Sequence, residues 1–240
     1  MNNLKIFLSF CWIIIYFSFS IITFQTITAA ENNTIKIGYI DYTGFIDKKP
    51  DGSYSGYGVD YLTQISRSTG WKYEFIYDSW DTQLKNLKEG SIDFLCHAQI
   101  TPERQKNYLF SKNSIGYEHN IVYAALNSNY YYNDYQMFNG MNIAFLAGSS
   151  QNDQFLEWSK MHNFFYTSNL YPTEEAAFDA LNNNYVDAVV MGSLSNQKGY
   201  KIIGKFDYEP FYFMTSKQNK ELLIALDNAI TNIKVSNPSF

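Results

Sequence analysis

The segment QITPERQKNYLFS, residues 99–111, contains the side chains best suited to bind an anion. Thr101 is a good N-cap residue and Pro102 fits the first helical position, so the pattern predicts a helix that starts here. Glu103 suits the first turn, where the helix dipole is positive. Arg104 opposes that dipole, but a bound anion would satisfy both its guanidinium group and the free N–H groups of the helix start. These residues leave two interpretations open: Arg104 holds an anion together with the helix start, or it is a solvated surface arginine beside a simple helix cap.

The sequence has no arrangement typical of a catalytic or metal centre. Its three histidines, His97, His119 and His162, lack the H-x-x-x-H spacing of metal ligands, and neither a G-x-S-x-G elbow nor a P-loop is present. Cys96 lies inside an apolar run and is expected to pack inertly. Glu103 has a simpler role at the helix start than as an acid. We therefore predict a protein that is not an enzyme and that has no metal and no cofactor.

The composition is that of a globular chain. Of the 240 residues, 46% are hydrophobic and 18% are aromatic, with 21 Tyr and 19 Phe. Disordered chains are poor in aromatic residues, so the chain is expected to fold. A formal net charge of -5 without a basic stripe argues against nucleic acid as a partner. The length suits one large domain or two small lobes.

The first thirty residues differ in composition from the rest. Residues 6–24 are almost wholly apolar, and Thr28 and Ala30 supply the small residues typical of a signal-peptidase site. An uncleaved anchor helix is the alternative, because the apolar run is just long enough to span a bilayer. Residues 1–30 are predicted to be a signal peptide or signal anchor. The remainder is expected to be exported, to the periplasm or the cell surface, either free or membrane-anchored.

Strand and helix patterns alternate along the exported part, which predicts parallel sheets flanked by helices. The predicted strands cover residues 34–40, 71–77, 92–98, 120–126, 141–148, 164–172, 185–192 and 211–217, and the predicted helices cover 58–70, 79–90, a start at 101, 149–160, 173–184 and 221–234. Two successive βαβαβ runs predict two lobes with a ligand crevice at the carboxyl ends of the strands. The predicted boundaries are lobe 1 over 31–126, lobe 2 over 127–215 and a return to lobe 1 over 216–240, where the abrupt end predicts a truncated chain.

Five segments, in order, resemble the family 3 extracellular solute-binding proteins. They are GSYSGYGVDYLTQISRSTGW (52–71), SWDTQLKNLKEGSIDFL (79–95), TPERQKNYLFS (101–111), IAFLAGSSQNDQFL (143–156) and YPTEEAAFDALNNNYVDAVVMG (171–192). The resemblance implies an α/β fold of the two-lobe periplasmic-binding-protein-like II type. Mixed sheets flanked by helices would form each lobe, and the ligand would lie in the inter-lobe cleft.

The resemblance also implies roles for single residues. Arg104 matches the family arginine that grips an α-carboxylate, and Thr101 matches the hydroxyl that assists it. In the second lobe, Gly148, Ser149 and Ser150 match a turn whose backbone N–H groups and hydroxyls complete the carboxylate site. A plain helix start, capped by serine, would have the same sequence.

Three aromatic residues match positions where the family lines its crevice with rings: Tyr42, Phe45 and Trp80. Core packing is the alternative for each, and for Trp80 especially.

Two positions depart from the family pattern. Gly192 stands where the family usually has an Asp that pairs with the α-ammonium group of the ligand. A buried ammonium group without a counter-charge costs several kcal/mol in order of magnitude. Either Glu118, Asp41 or another acid substitutes, or the ligand is not an ordinary α-amino acid. Gln99, together with His97, replaces small residues; a histidine there could respond to pH or simply be satisfied at a strand end.

Two functions fit these expectations. In the first, the protein binds an amino acid or related carboxylate by closure of its lobes and delivers it to an ABC permease. In the second, it is the ligand-sensing domain of a membrane-bound signalling protein, a histidine kinase or diguanylate cyclase, and its partners are its own membrane-anchored signalling domains.

Overall fold

The computed structural model of the protein describes residues 33–40, 42–195 and 197–237. The predicted N-terminal leader, Asp41 and the last three residues lie outside the described residues. Within the described ranges, no helix is both long enough and apolar enough to cross a membrane.

Strands and helices alternate as the sequence predicts. The strands of the described part are β1 Thr34–Tyr39, β2 Asp47–Lys48, β3 Tyr54–Ser55, β4 Lys72–Tyr77, β5 Phe94–Ala98, β6 Tyr108–Phe110, β7 Gly116–Ala125, β8 Met141–Leu146, β9 Tyr166–Tyr171, β10 Ala188–Gly192 and β11 Tyr200–Ser216. The α-helices are α1 Tyr57–Thr69, α2 Trp80–Glu89, α3 Pro102–Asn107, α4 Gln151–Met161, α5 Glu174–Asn182 and α6 Lys220–Ser236.

The strands form a mixed sheet in the order β4-β1-β5-β11-β7-β10-β8-β9, with β6 added beside β11 and a small separate pair of β2 and β3. The outer pairs β1–β4, β1–β5, β8–β9 and β8–β10 are parallel. Strand β11 joins the two halves, because its first part pairs with β7 and its last part pairs with β5 and β6. The α/β fold class predicted from the sequence is confirmed, whereas the residue limits assigned to the lobes remain predictions.

Local sequence signals explain where the helices begin and end. Helix α1 ends at Gly70 and α2 ends at Gly90, both in the left-handed conformation that glycine adopts without strain. The hydroxyl of Ser79 caps α2, and that of Thr173 caps α5 by accepting a hydrogen bond from the N–H of Ala176.

Strand β11 is longer than the sequence predicts. Residues 211–217 are predicted as a strand, but pairing already begins at Tyr200. Gly204, Asp207 and Pro210 interrupt the apolar pattern, and Asp207 has a φ of 49°. The register shifts near two of these residues, so the strand passes irregularities that read as turns in the sequence.

Buried side chains form three core clusters that pack the helices against the sheet. One cluster packs α1 and α6 against β1 and β5, and another packs α4 against β8 and β10. A central cluster joins α2 and α5 through β5, β7 and β10. The ends of these strands are thereby held in place, and the cleft described next lies at those ends.

Candidate ligand-binding cleft

A cleft lies at the carboxyl ends of β1, β5, β8 and β10. It encloses about 390 Å³, part of which is open to solvent. Its lining residues are Ile40, Tyr42, Trp80, His97, Gln99, Arg104, Glu118, Leu146, Ser149, Ser150, Gln151 and Met191. The carboxyl ends of parallel strands are the usual ligand site in α/β sheets.

Arg104 is held in the cleft by carbonyl oxygens. Its backbone N–H donates to the hydroxyl of Thr101 over 3.1 Å, so Thr101 caps the short helix α3. The guanidinium group donates to the carbonyl of Gln99 over 3.0 Å and to that of Gly148 over 3.2 Å. It also lies over the ring of Trp80, 5.1 Å from the centroid. The side chain therefore has a fixed direction before any ligand arrives.

The charge of Arg104 has no carboxylate within ion-pair distance among the described residues, and Asp153 interacts with it only from beyond that distance. Only 9% of the residue is exposed, and none of the ion pairs among the described residues includes it. Burial lowers the pKa of the guanidinium group to about 10, so it stays protonated at neutral pH. Arg104 is thus a buried cation whose hydrogen-bond partners are neutral carbonyl groups. Such a cation is stabilised by an anion that binds beside it.

The turn after β8 brings further polar groups to Arg104. Gly148 has a φ of 74°, and its carbonyl accepts a second hydrogen bond, 3.0 Å long, from the indole N–H of Trp80. The backbone N–H of Ser149 donates to the carbonyl of Leu146, whereas the Ser149 hydroxyl is buried without a partner in the described structure. The Ser149 hydroxyl is thus a donor of the turn that is left over for a ligand.

Ser150 does not cap helix α4 with its side chain, so the alternative of a serine-capped helix start is not what the structure has. It occupies the N-cap position, but it makes no side-chain capping bond. Its hydroxyl donates instead to the side-chain oxygen of Gln99. The Ser150 hydroxyl bonds to the amide of Gln99 rather than to the backbone at the start of α4. Gln99 lies across the cleft, so this contact depends on tertiary structure and does not show in the local sequence.

A second polar cluster surrounds the buried carboxylate of Glu118, a β7 residue that is 2% exposed. One carboxylate oxygen lies 2.9 Å from Nε2 of His97 and 3.3 Å from the Gln99 side-chain nitrogen. The other oxygen accepts a 3.1 Å hydrogen bond from the hydroxyl of Tyr42. Burial, followed by the nearby Glu118 charge, raises the pKa of Tyr42 well above its usual value, so Tyr42 remains a donor.

Comparison with known proteins identifies the family. The sequence matches the bacterial extracellular solute-binding proteins, family 3, over residues 35–237. The chain belongs to this family. It is a solute-binding protein, as the resemblance of the five segments implies.

Solved structures with the same fold agree with this assignment. An ABC uptake transporter substrate-binding protein from Streptococcus pneumoniae with bound histidine has a TM-score of 0.73 and 21% identity, and the match covers 84% of this chain and 87% of that one. A mutant arginine-binding protein from T. maritima has a TM-score of 0.71 and 20% identity over 86% and 91% of the two chains. An ancestral arginine-binding protein bound to arginine has a TM-score of 0.70 and 25% identity over 84% and 92%. A search of curated proteins gives no match.

This solute-binding protein brings most of its predicted site residues together. Those that line the main cleft are Tyr42, Trp80, Gln99, Arg104, Ser149 and Ser150. Thr101 and Gly148 line a neighbouring cavity that shares Arg104 with the cleft. Phe45 lies behind the ring of His97, 5.2 Å between centroids, in a separate apolar cavity. Gly192 lies next to Glu118 and Tyr42, whose side-chain oxygens are the nearest atoms to the place where its Cβ would be.

Several lining residues of the solute-binding protein are absent from the predicted ligand set. Glu118 is only one of the alternatives offered for the missing strand-end acid, and His97 is given no ligand role. The apolar lining, Ile40, Leu146 and Met191, carries no sequence motif. The signal that points to Glu118 is an acid at the start of the apolar run of strand GYEHNIVYAA, because a buried acid needs a specific partner.

Proposed function

We propose that this solute-binding protein binds an amino acid outside the cytoplasm and delivers it to an ABC-type importer. The observation that carries the proposal is Arg104, a buried, protonated guanidinium group whose hydrogen bonds within the described structure go to carbonyl oxygens. A guanidinium group and a carboxylate form a planar, bidentate pair. A ligand carboxylate beside Arg104 would supply the missing negative charge, and the buried hydroxyl of Ser149 would donate to it.

The relatives support the ligand class and the role. The T. maritima and ancestral proteins bind arginine, and the Streptococcus pneumoniae protein, with bound histidine, belongs to an ABC uptake transporter. These likenesses favour delivery to a permease over the sensor alternative. We propose binding without chemical change of the ligand.

Closure of the cleft provides the mechanism. Trp80 and Arg104, from α2 and α3, donate to Gly148 in the turn after β8, and Ser150 in the same turn donates to Gln99. These hydrogen bonds join the two sides of the cleft. In an open form they would separate and admit the ligand. A ligand that contacts both sides favours the closed form, because only that form makes all its contacts.

Removal of the Arg104 side chain tests the proposal. Isothermal titration calorimetry with the twenty common amino acids would identify ligands of the unmodified protein. Arg104→Ala is expected to weaken binding of those ligands by roughly 2–5 kcal/mol, because truncation of a buried charge partner has costs of this size. Arg67→Ala is the matched control, since its side chain contacts Gln64 on helix α1. Equal affinity in Arg104→Ala and Arg67→Ala would refute the carboxylate assignment.

A further inference from the structure

Among the described residues that line the main cleft, the acidic one is Glu118. One of its oxygens contacts His97 and Gln99, and the other accepts a hydrogen bond from Tyr42. A carboxylate oxygen can accept about two hydrogen bonds. The oxygen bound by Tyr42 therefore has capacity for one more donor on the described contacts.

Gly192, at the end of β10, has no side chain, and the Glu118 carboxylate lies in the volume that a side chain there would fill. A Cβ atom at position 192 would lie 2.0 Å from the Glu118 oxygen Oε2 and 2.1 Å from the hydroxyl of Tyr42. Neither distance is possible for real atoms. The Glu118 carboxylate thus occupies the space where any side chain of residue 192 would begin, and it arrives there from a different strand.

We propose that Glu118 binds the α-ammonium group of the ligand and that Gly192 is the residue type this arrangement requires. The inference rests on the proposed function and deepens it, because it defines the ligand as a zwitterion. Arg104 would bind the carboxylate end and Glu118 the ammonium end. Glu118 is then a specificity-determining residue that excludes carboxylates without an amino group.

The hydrogen bonds of Gln99 hold the two charged residues in a fixed relation. Its backbone carbonyl accepts from Arg104, and its side-chain nitrogen donates to Glu118. The hydroxyl of Ser150 fixes the remaining side-chain oxygen. One residue therefore contacts both the cationic and the anionic end of the cleft, which suits a ligand with two charges at a set separation.

The charge of Glu118 needs a cation in the closed cleft. A buried carboxylate without a positive partner is costly, and the hydrogen bonds from His97, Gln99 and Tyr42 stabilise it when the cleft is empty. A ligand ammonium group would supply the positive partner when the cleft is filled. Glu174 is less suitable than Glu118 to bind the ammonium group of a ligand. Its carboxylate accepts hydrogen bonds from Ser195 and Gln197, and it is not among the residues that line the main cleft.

Calorimetry of the full-length protein with matched ligands tests the inference. Each amino acid that binds would be compared with the carboxylate that lacks its amino group and with the amine that lacks its carboxylate. For histidine these are imidazolepropionate and histamine. The amino acid is expected to bind at least about 30-fold more tightly than either, since each analogue leaves one buried charge unpaired.

The matched ligands separate the inference from the proposed function. Equal binding of the amino acid and the des-amino carboxylate would overturn the role of Glu118 and leave the carboxylate site intact. Equal binding of the amino acid and the decarboxylated amine would overturn the proposed function. A folded protein that binds none of the twenty amino acids would overturn both.

Variants of Glu118 and Gly192 test the same inference from the protein side. Glu118→Gln keeps the shape but removes the charge, so amino-acid affinity should fall about 30-fold or more while des-amino carboxylates bind as before. Glu209→Gln is the matched control, because Glu209 is an exposed acid of β11 that stands opposite Glu118 of β7 in the strand register. Continued binding of the des-amino carboxylate shows that the variant is folded. Equal loss in both variants would overturn the inference.

Moving the acid to the other strand provides an independent test. Gly192→Asp alone should bind poorly, because the new side chain collides with Glu118. In a Tyr42→Phe background, which removes the hydroxyl that a Cβ at position 192 would also meet, the double variant Glu118→Ala/Gly192→Asp should bind amino acids at least about tenfold more tightly than Glu118→Ala, since it restores a carboxylate near the same place. No recovery in a folded double variant would count against the proposed position of the ammonium group.

Discussion

The carboxylate of Glu118 fills the side-chain space of Gly192. The two residues lie on the antiparallel strands β7 and β10, where Gly192 pairs with Asn120, two positions along from Glu118. A Cβ atom on Gly192 would approach the Glu118 carboxylate to 2.0 Å. The identity of each residue therefore restricts the other, and the cleft accommodates an acid from one of these two positions at a time.

Gly192→Ala is expected to destabilise the ligand-free protein. The added methyl group must displace Glu118 and Tyr42, and overpacking of a buried site typically costs about 1–3 kcal/mol. Denaturant unfolding would measure the loss. The same substitution in a Tyr42→Phe/Glu118→Ala background should cost much less, because both colliding groups are gone. An equal cost in the two backgrounds would show that the collision is not the cause.

Trp80→Phe is expected to weaken closure of the cleft without removing the ring beside Arg104. The substitution deletes the N–H that donates to Gly148 across the cleft. A hydrogen bond of this kind contributes roughly 0.5–1.5 kcal/mol, so ligand affinity should fall about three- to tenfold by calorimetry. Small-angle X-ray scattering should show a larger radius of gyration for the ligand-free variant than for the unmodified protein.

Trp71→Phe is the control for Trp80→Phe, since Trp71 is buried in the core cluster of α1 and β5 and does not line the cleft. If both variants bind with unchanged affinity, the bond between Trp80 and Gly148 does not contribute to closure.

Much of the fold can be predicted from the sequence because its signals are local. Gly70 and Gly90 end their helices, and Ser79 and Thr173 begin theirs, through contacts within a few residues. Contacts between residues that are close in the chain produce patterns of residue types that can be recognised in the sequence. Strand β11 is the exception, because its irregular register shows only when β7 lies beside it.

The candidate cleft is less predictable because its contacts are not local. Arg104 is recognisable from its own helix start, but the distance between Glu118 and Gly192 depends on the register of two strands separated by many residues. The bond from Ser150 to Gln99 likewise depends on tertiary structure, and it overrides the local capping preference of serine.

Gln83→Leu is expected to destabilise the fold near β1 and β4. Gln83 is fully buried, and its side-chain nitrogen donates to the carbonyls of Tyr39 and Ile76 over 3.1 and 2.6 Å. Loss of two buried hydrogen bonds should lower the free energy of unfolding by roughly 1–3 kcal/mol. Urea unfolding would measure this, with Gln105→Leu on the exposed side of α3 as the control. Equal stability of the two variants would contradict the structural role of Gln83.

Cys96 is expected to resist thiol reagents in the folded protein. It lies in β5 with 2% exposure, and burial raises the pKa of its thiol well above the usual value. The thiolate is the reactive form, so a raised pKa leaves almost none of it at pH 8, and the surrounding core also blocks access.

Reaction with Ellman's reagent at pH 8 would measure this. The sequence has a second cysteine, Cys11, so the assay uses a Cys11→Ser background in which Cys96 is the thiol observed. We expect no reaction within an hour in buffer and one equivalent of reaction in 6 M guanidinium chloride, where the core is unfolded. Full reaction within minutes in buffer would mean that β5 opens readily, and because β5 contains His97 and leads directly into Gln99, the cleft itself would then be mobile in the ligand-free protein.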